Sequence, residues 1–238
     1  MMDKWFYSKE ELENLADNIN RCYYPERLEK IELFDSYDFL EKLGLEIEWK
    51  YISPNMQILG IYFFEDGYWL VWPKGEYHQG DRPKWEFFKK GTIVINNNLV
   101  IDKKMKLKEV FICLHECGHH IKDKNFFETH ENDVYHICAK QDFEKTSWSN
   151  NINEIDIIER QTNYLAAAIL MPRDIIKREF FRKLRFKNIP QEPIKLMPYM
   201  KKYVKELAVE FGVNYNPVLY RLYDLKILER ENEYSNVF

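Results

Sequence analysis

The sequence predicts an α+β fold: a small twisted β-sheet packed on a helix that carries an HExxH motif, with a helical C-terminal half that includes a helix-turn-helix-like segment. Three observations predict it. Runs of β-branched and aromatic residues with strand character are confined to residues 45–96. From residue 104 the apolar residues recur at i, i+3, i+4 and i+7, the period of a helix with one buried stripe. Past residue 154 that helical period returns and dominates the rest of the chain.

In chain order, Ser8-Lys9-Glu10-Glu11 has the form of a capping box and opens a helix to about residue 20. A second helix covers residues 36–42, with Gly44 as its C-terminal stop. Residues 45–51, 57–64 and 68–72 read as short strands, and Glu65-Asp66-Gly67 as a hairpin turn between the last two. Residues 73–90 are polar and aromatic and read as an inserted loop. Thr92-Ile93-Val94-Ile95-Asn96 is a strand bounded by Gly91 and an Asn cluster. Leu107, Val110, Phe111, Leu114, Gly118 and Ile121 mark a helix over residues 104–122. A polar, non-periodic stretch over residues 123–153 follows. The next helix aligns Ile155, Ile158, Thr162, Leu165, Ala166 and Ile169, and stops at Met171-Pro172. Further helices are expected over residues 174–186, 199–211 and 216–225. The segment 188–198 holds three of the nine prolines and reads as a linker.

The net charge of −4 argues against a protein that coats nucleic acid. That balance is uneven, because residues 173–205 carry eleven Lys/Arg against three Asp/Glu. The N-terminus lacks the basic-then-apolar pattern of a secretory signal, and no run of eighteen apolar residues occurs. Cys22, Cys113, Cys117 and Cys138 form no CxxC pair. They read as reduced thiols of a cytoplasmic protein, mostly filling space.

The chemistry concentrates in His115-Glu116-Cys117-Gly118-His119-His120. Histidines four apart on a helix lie one turn above each other, so His115 and His119 can face one ion. Glu116 lies about 100° around the helix from His115, beside such an ion, where it suits a base acting on water. A metzincin extension is excluded, because the positions that would need Gly and His are Lys122 and Asn125. A later helix offers Glu159, with Asn163 on the same face. Two His and one Glu would leave a position open for water, as in catalytic zinc sites. His120 reads as a surface or supporting residue. His130 and His136, with Cys138, offer donors for a second metal site, but their spacing fits no template, and they read as part of a solvated insertion.

These motifs resemble the ImmA/IrrE metallopeptidases. The resemblance rests on His115-Glu116-Cys117-Gly118-His119, on Glu159-Arg160-Gln161-Thr162-Asn163 and on Ile169-Leu170-Met171-Pro172. It extends over most of residues 36–228, through EKLGLEIEWK, ILGIYF and TIVINNNL, to a C-terminal stretch similar to that family's helix-turn-helix-like end. The chain departs from the family pattern at Thr162, where Ala is usual, and in the long connector from His119 to Glu159.

The resemblance implies a gluzincin-like, minimal zincin core over residues 1–187 and a helical segment over 188–238. It implies one zinc per chain, bound by His115, His119 and Glu159. It makes Glu116 the general base and places Asn163 behind a ligand histidine. It further implies a cytoplasmic endopeptidase whose protein substrate is a helix-turn-helix transcriptional repressor. The alternative is a non-proteolytic regulatory or DNA-binding protein that retains the zinc site. Direct DNA binding is not favoured, since Arg221 is the one basic residue of the presumed recognition helix. An extended substrate is expected alongside Ile93, Val94, Ile95 and Asn96, if that strand is an edge. The 123–153 stretch is expected to flank the cleft as a lid.

Overall fold

The computed structural model describes residues 6–101, 105–124, 126, 134–139 and 154–230. These form a small mixed sheet, a two-stranded hairpin and eight helices. The chain groups into two compact units. One takes residues up to Leu12 and Asp35–Ala166; the other takes Glu13–Phe34 and the residues from Ala167 onward. The units therefore divide inside two helices.

In the first unit, helix α1 (Lys9–Tyr23) starts at the expected capping box. Glu11 donates its N–H to Ser8 Oγ at 3.3 Å, and Ser8 donates its N–H to Glu11 Oε2 at 2.9 Å. Helix α2 (Ser36–Leu43) is capped by Asp35, whose carboxylate accepts from the N–H groups of Tyr37 and Asp38. Gly44 ends it in the left-handed conformation, with φ of 70°.

The main sheet has the order β1 (Glu46–Lys50), β5 (Thr92–Asn96), β2 (Ile58–Phe63), β6 (Tyr135–Ala139). β1 runs parallel to β5, and β2 runs antiparallel to both of its neighbours. β3 (Gly67–Val71) pairs with β4 (Lys84–Phe88), which lies inside the stretch read as a loop. The turn after β2 thus makes no hairpin between β2 and β3. Alternation sorts the sheet's two faces. Ile61, Phe63 and Val94 pack on one side with Phe88 and Trp69 of the hairpin. The other side faces helix α4 (Lys106–Gly118), which packs on β2 and β5. A short helix α3 (Asn98–Ile101) precedes α4. Glu109 anchors the first turns of α4, accepting from Trp49 Nε1 at 3.0 Å and from the Tyr37 hydroxyl.

Helix α5 (Glu154–Leu170) begins in the first unit and ends in the second. Its last carbonyls, left without helical partners by Pro172, are buried and must be satisfied by side chains. Asn20 donates to Ile169 O at 3.1 Å, Arg27 to Leu170 O at 2.7 Å, and Arg221 Nε to Met171 O at 3.1 Å. Helices α6 (Arg173–Lys183), α7 (Met200–Phe211) and α8 (Tyr215–Asp224) complete this unit. Gly212, with φ of 66°, makes the turn between α7 and α8.

Arg221 is buried and forms a two-pronged ion pair with Glu13, at 2.8 Å for the Nη2–Oε2 arm. Removing one partner of such a pair leaves a buried charge, at a cost of about 3–5 kcal/mol. Arg221→Ala is accordingly expected to lower the unfolding free energy by about that much. Urea denaturation measures it, and a loss typical of a surface substitution would reject this role.

Candidate metal centre

α4 delivers His115 and Glu116, and widens into a π-helical turn over His119–Asp123 that carries His119. α5 delivers Glu159 and Asn163 from the facing side. Close approach of the two helices needs a residue without a side chain at Gly118, since a Cβ there would lie 2.7 Å from Thr162 Cγ2.

His115, Glu116 and His119 are fully enclosed and Glu159 nearly so. His115 Nε2 and His119 Nε2 lie 3.0 Å apart. Glu159 Oε2 is 3.3 Å from His115 Nε2, and Glu159 Oε1 is 3.1 Å from His119 Nε2. Each ring is held from behind. His115 Nδ1 donates to Asn163 Oδ1 at 2.9 Å, and His119 Nδ1 to Asp123 Oδ2 at 2.8 Å. Both acceptors require Nδ1–H, so Nε2 is the atom by which each ring, once neutral, can offer a lone pair to the centre. Two ring nitrogens and a carboxylate converging at 3.0–3.3 Å repel one another unless a proton or a metal ion sits among them. Bonds of about 2.0–2.1 Å at tetrahedral angles put ligand atoms roughly 3.3 Å apart, so the residues fit a zinc-sized ion.

Residues 70–223 match the Peptidase_M78 family, the IrrE N-terminal-like domain. The chain belongs to that family. No curated protein matches the chain. Peptidase_M78 is a family of metallopeptidases, which implies a metal, and the enclosed His115, His119 and Glu159 form a group able to hold one.

Charge balance in this M78 centre follows from burial and crowding. Burial alone would lower His119, but Glu159 and Asp123 outweigh it and raise the ring to about 9. Burial would raise Glu159, yet the two histidines hold it well below the usual carboxylate range. Burial pushes the Glu116 carboxyl up to about 8, partly offset by His119 and reinforced by Glu159.

Four members of the site escaped the sequence reading. Asp123 accepts from His119, and also from Thr162 Oγ1 at 3.0 Å and Lys122 Nζ at 2.5 Å. The family departure at Thr162 therefore supplies a hydroxyl to the carboxylate behind His119. The spacing of Asp123, four after His119, could have exposed it. His136 and Cys138 arrive on β6, inside the stretch read as a solvated insertion. They point to the α4 side of the sheet, and His136 Nε2 lies 2.6 Å from Glu159 Oε1. Gly60 of β2 is the fourth, because a Cβ there would collide with Glu116 Oε1. His120 takes a supporting position, with its Nδ1 2.7 Å from the Tyr62 hydroxyl. His130 lies outside the described residues.

The expected substrate strand is overturned. β5 is central, paired with β1 and β2, and its five residues are all buried. Ile93, Val94 and Ile95 therefore offer no free backbone edge, and Asn96 is bound inward, donating to Ile58 O at 2.8 Å. The strand beside the centre is β6. The lid expectation falls largely on residues outside the described ones.

His136 is expected to orient Glu159, as partners of metal ligands do. His136→Ala should weaken metal affinity by about 10–100-fold with the fold intact. Chelator competition measures this, and an unchanged affinity would remove the role.

Proposed function

We propose that the chain is a zinc-dependent endopeptidase, with one zinc held by His115, His119 and Glu159. The observation that carries this reading is the convergence of two imidazole nitrogens and a carboxylate, each ring locked from behind by Asn163 or Asp123. When bound, zinc supplies a Lewis acid that activates water near neutral pH and polarises a carbonyl. Glu116 takes the proton from the attacking water and returns it to the leaving amine. Gly60 and α4 hold that carboxylate in place, while Asn163, Asp123 and His136 hold the ligands.

The substrate we infer is a cytoplasmic helix-turn-helix repressor, cut at one or a few sites. Support comes from the family membership and from the basic stretch 173–205, which could dock an acidic partner. Among the described residues no helix is long and apolar enough to cross a membrane. The alternative, a DNA-reading regulator, draws little support from α8, whose basic group Arg221 is buried against Glu13. The test incubates enzyme and zinc with the repressor encoded nearest to it and with casein. Selective cutting of the repressor is expected; rapid casein digestion beside an untouched repressor would overturn the substrate assignment.

A further inference from the structure

We propose that His115, Glu116 and Cys138 form a second, thiolate-bearing metal site that shares His115 with the zinc trio, so that a thiophilic ion held there blocks the enzyme. One ligand atom from each of the three lies within 4.8 Å of the other two, and all three residues are buried. The proposal rests on the zinc reading above for its consequence, not for its geometry.

The backbone explains why the three meet. In the β2–β6 ladder Gly60 is the direct partner of Cys138. Cross-strand partners normally set two side chains against each other at about 4.5–5.5 Å. Gly60 has no side chain, and the Glu116 carboxylate occupies the space that its Cβ would take. Glu116 thereby becomes the cross-strand neighbour of the Cys138 thiol. Among the described residues no other hydrogen-bond donor satisfies either carboxylate oxygen, although both are buried. A buried carboxylate so poorly supplied is costly, and a cation between it and a thiolate relieves that cost.

A buried cysteine is most often a small apolar filler. Cys138 differs because a carboxylate and an imidazole both lie within ligand reach of its thiol. Three atoms within 4.8 Å of one another can all lie within about 2.8 Å of a common centre. Metal–ligand bonds of about 2.0–2.3 Å then need inward movements of about 0.5–0.8 Å. Thiolate is a soft ligand, so the site favours cadmium, copper(I) or excess zinc over harder ions. On binding, the Cys138 S–H bond and any O–H bond of the Glu116 carboxyl break, sulfur and oxygen keep the electron pairs, and the protons leave to solvent.

The two sites exclude each other. His115 Nδ1 is committed to Asn163, so both trios draw on the same Nε2 lone pair. An ion in the Cys138 site also takes Glu116 as a ligand and so removes the base.

The test uses the full chain stripped of metal, titrated with cadmium and with zinc. Thiolate-to-metal charge-transfer absorption and metal content per chain are read in wild type, Glu159→Ala, Cys138→Ser and Cys138→Ala. Circular dichroism checks that each variant folds. We expect Glu159→Ala to keep one cadmium per chain with the thiolate band. Either Cys138 variant should lose the band and at least about tenfold in cadmium affinity, and keep zinc. Cadmium bound to Glu159→Ala without the band, or a band that survives both Cys138 variants, would overturn the second site. Failure of the zinc reading looks different: Glu159→Ala would then leave wild-type zinc affinity unchanged, whatever Cys138 does.

Discussion

Glu116→Gln is expected to keep the fold and the zinc, and to lose peptidase turnover by at least about 10³-fold, near the upper range for general acid–base catalysis. Gln matches Glu in size, so the tight space between α4 and Gly60 accommodates it. What it lacks is a proton acceptor. The loss falls at the upper end because Glu116 serves twice, taking a proton from water and giving it to the amine. Without a metal, burial raises the carboxyl to about 8, and a cation beside it would favour the ionised form that a base needs. The effect should appear in kcat rather than KM, because the group acts on the transition state. Single-turnover assays on a cleavable repressor, beside metal analysis, check it. Comparable turnover in the variant would mean that Glu116 is not the base.

The parts of the site that sequence exposes are those fixed by one helix. His115, Glu116 and His119 are ordered by the 3.6-residue period alone, as are Glu159 and Asn163 on α5. Asp123 belongs to the same class, and the i, i+4 step from His119 was available to find it. The 2.8 Å contact also depends on a π-helical turn, which spacing does not announce.

His136, Cys138 and Gly60 are of another kind. Each reaches the centre through pairing of β2 with β6, strands more than seventy residues apart in sequence. β6 is five residues long within a polar stretch, too short for its alternation to stand out. The place of β5 was more legible than the expectation allowed. Thr92-Ile93-Val94-Ile95 is a continuous run rather than an alternating one, which is how a strand buried on both faces reads. The hairpin of β3 with β4 was hidden because Trp85, Phe87 and Tyr68 expose aromatic rings, so its outer face lacks a polar signal.

Glu159→Ala is expected to weaken zinc binding by more than about 100-fold, because losing a residue that merely orients a ligand already costs about 10–100-fold. The variant removes one of three protein ligands and the only carboxylate among them. It also changes the proton balance in a way that separates ligation from simple unfolding. Without metal, Glu159 is a main cause of the raised His119, at about 9. Below that pH the ring holds a proton that an incoming ion must displace, so affinity in the wild type should fall as pH drops and rise toward pH 9. Without Glu159 the ring loses that support and keeps only Asp123 against the lowering effect of burial. Zinc binding to the variant should therefore be weaker, less dependent on pH around neutrality, and accompanied by fewer released protons. Calorimetry in buffers of different ionisation enthalpy counts those protons. A variant with the same affinity and the same proton release as wild type would show that Glu159 touches neither the ion nor the ring that binds it.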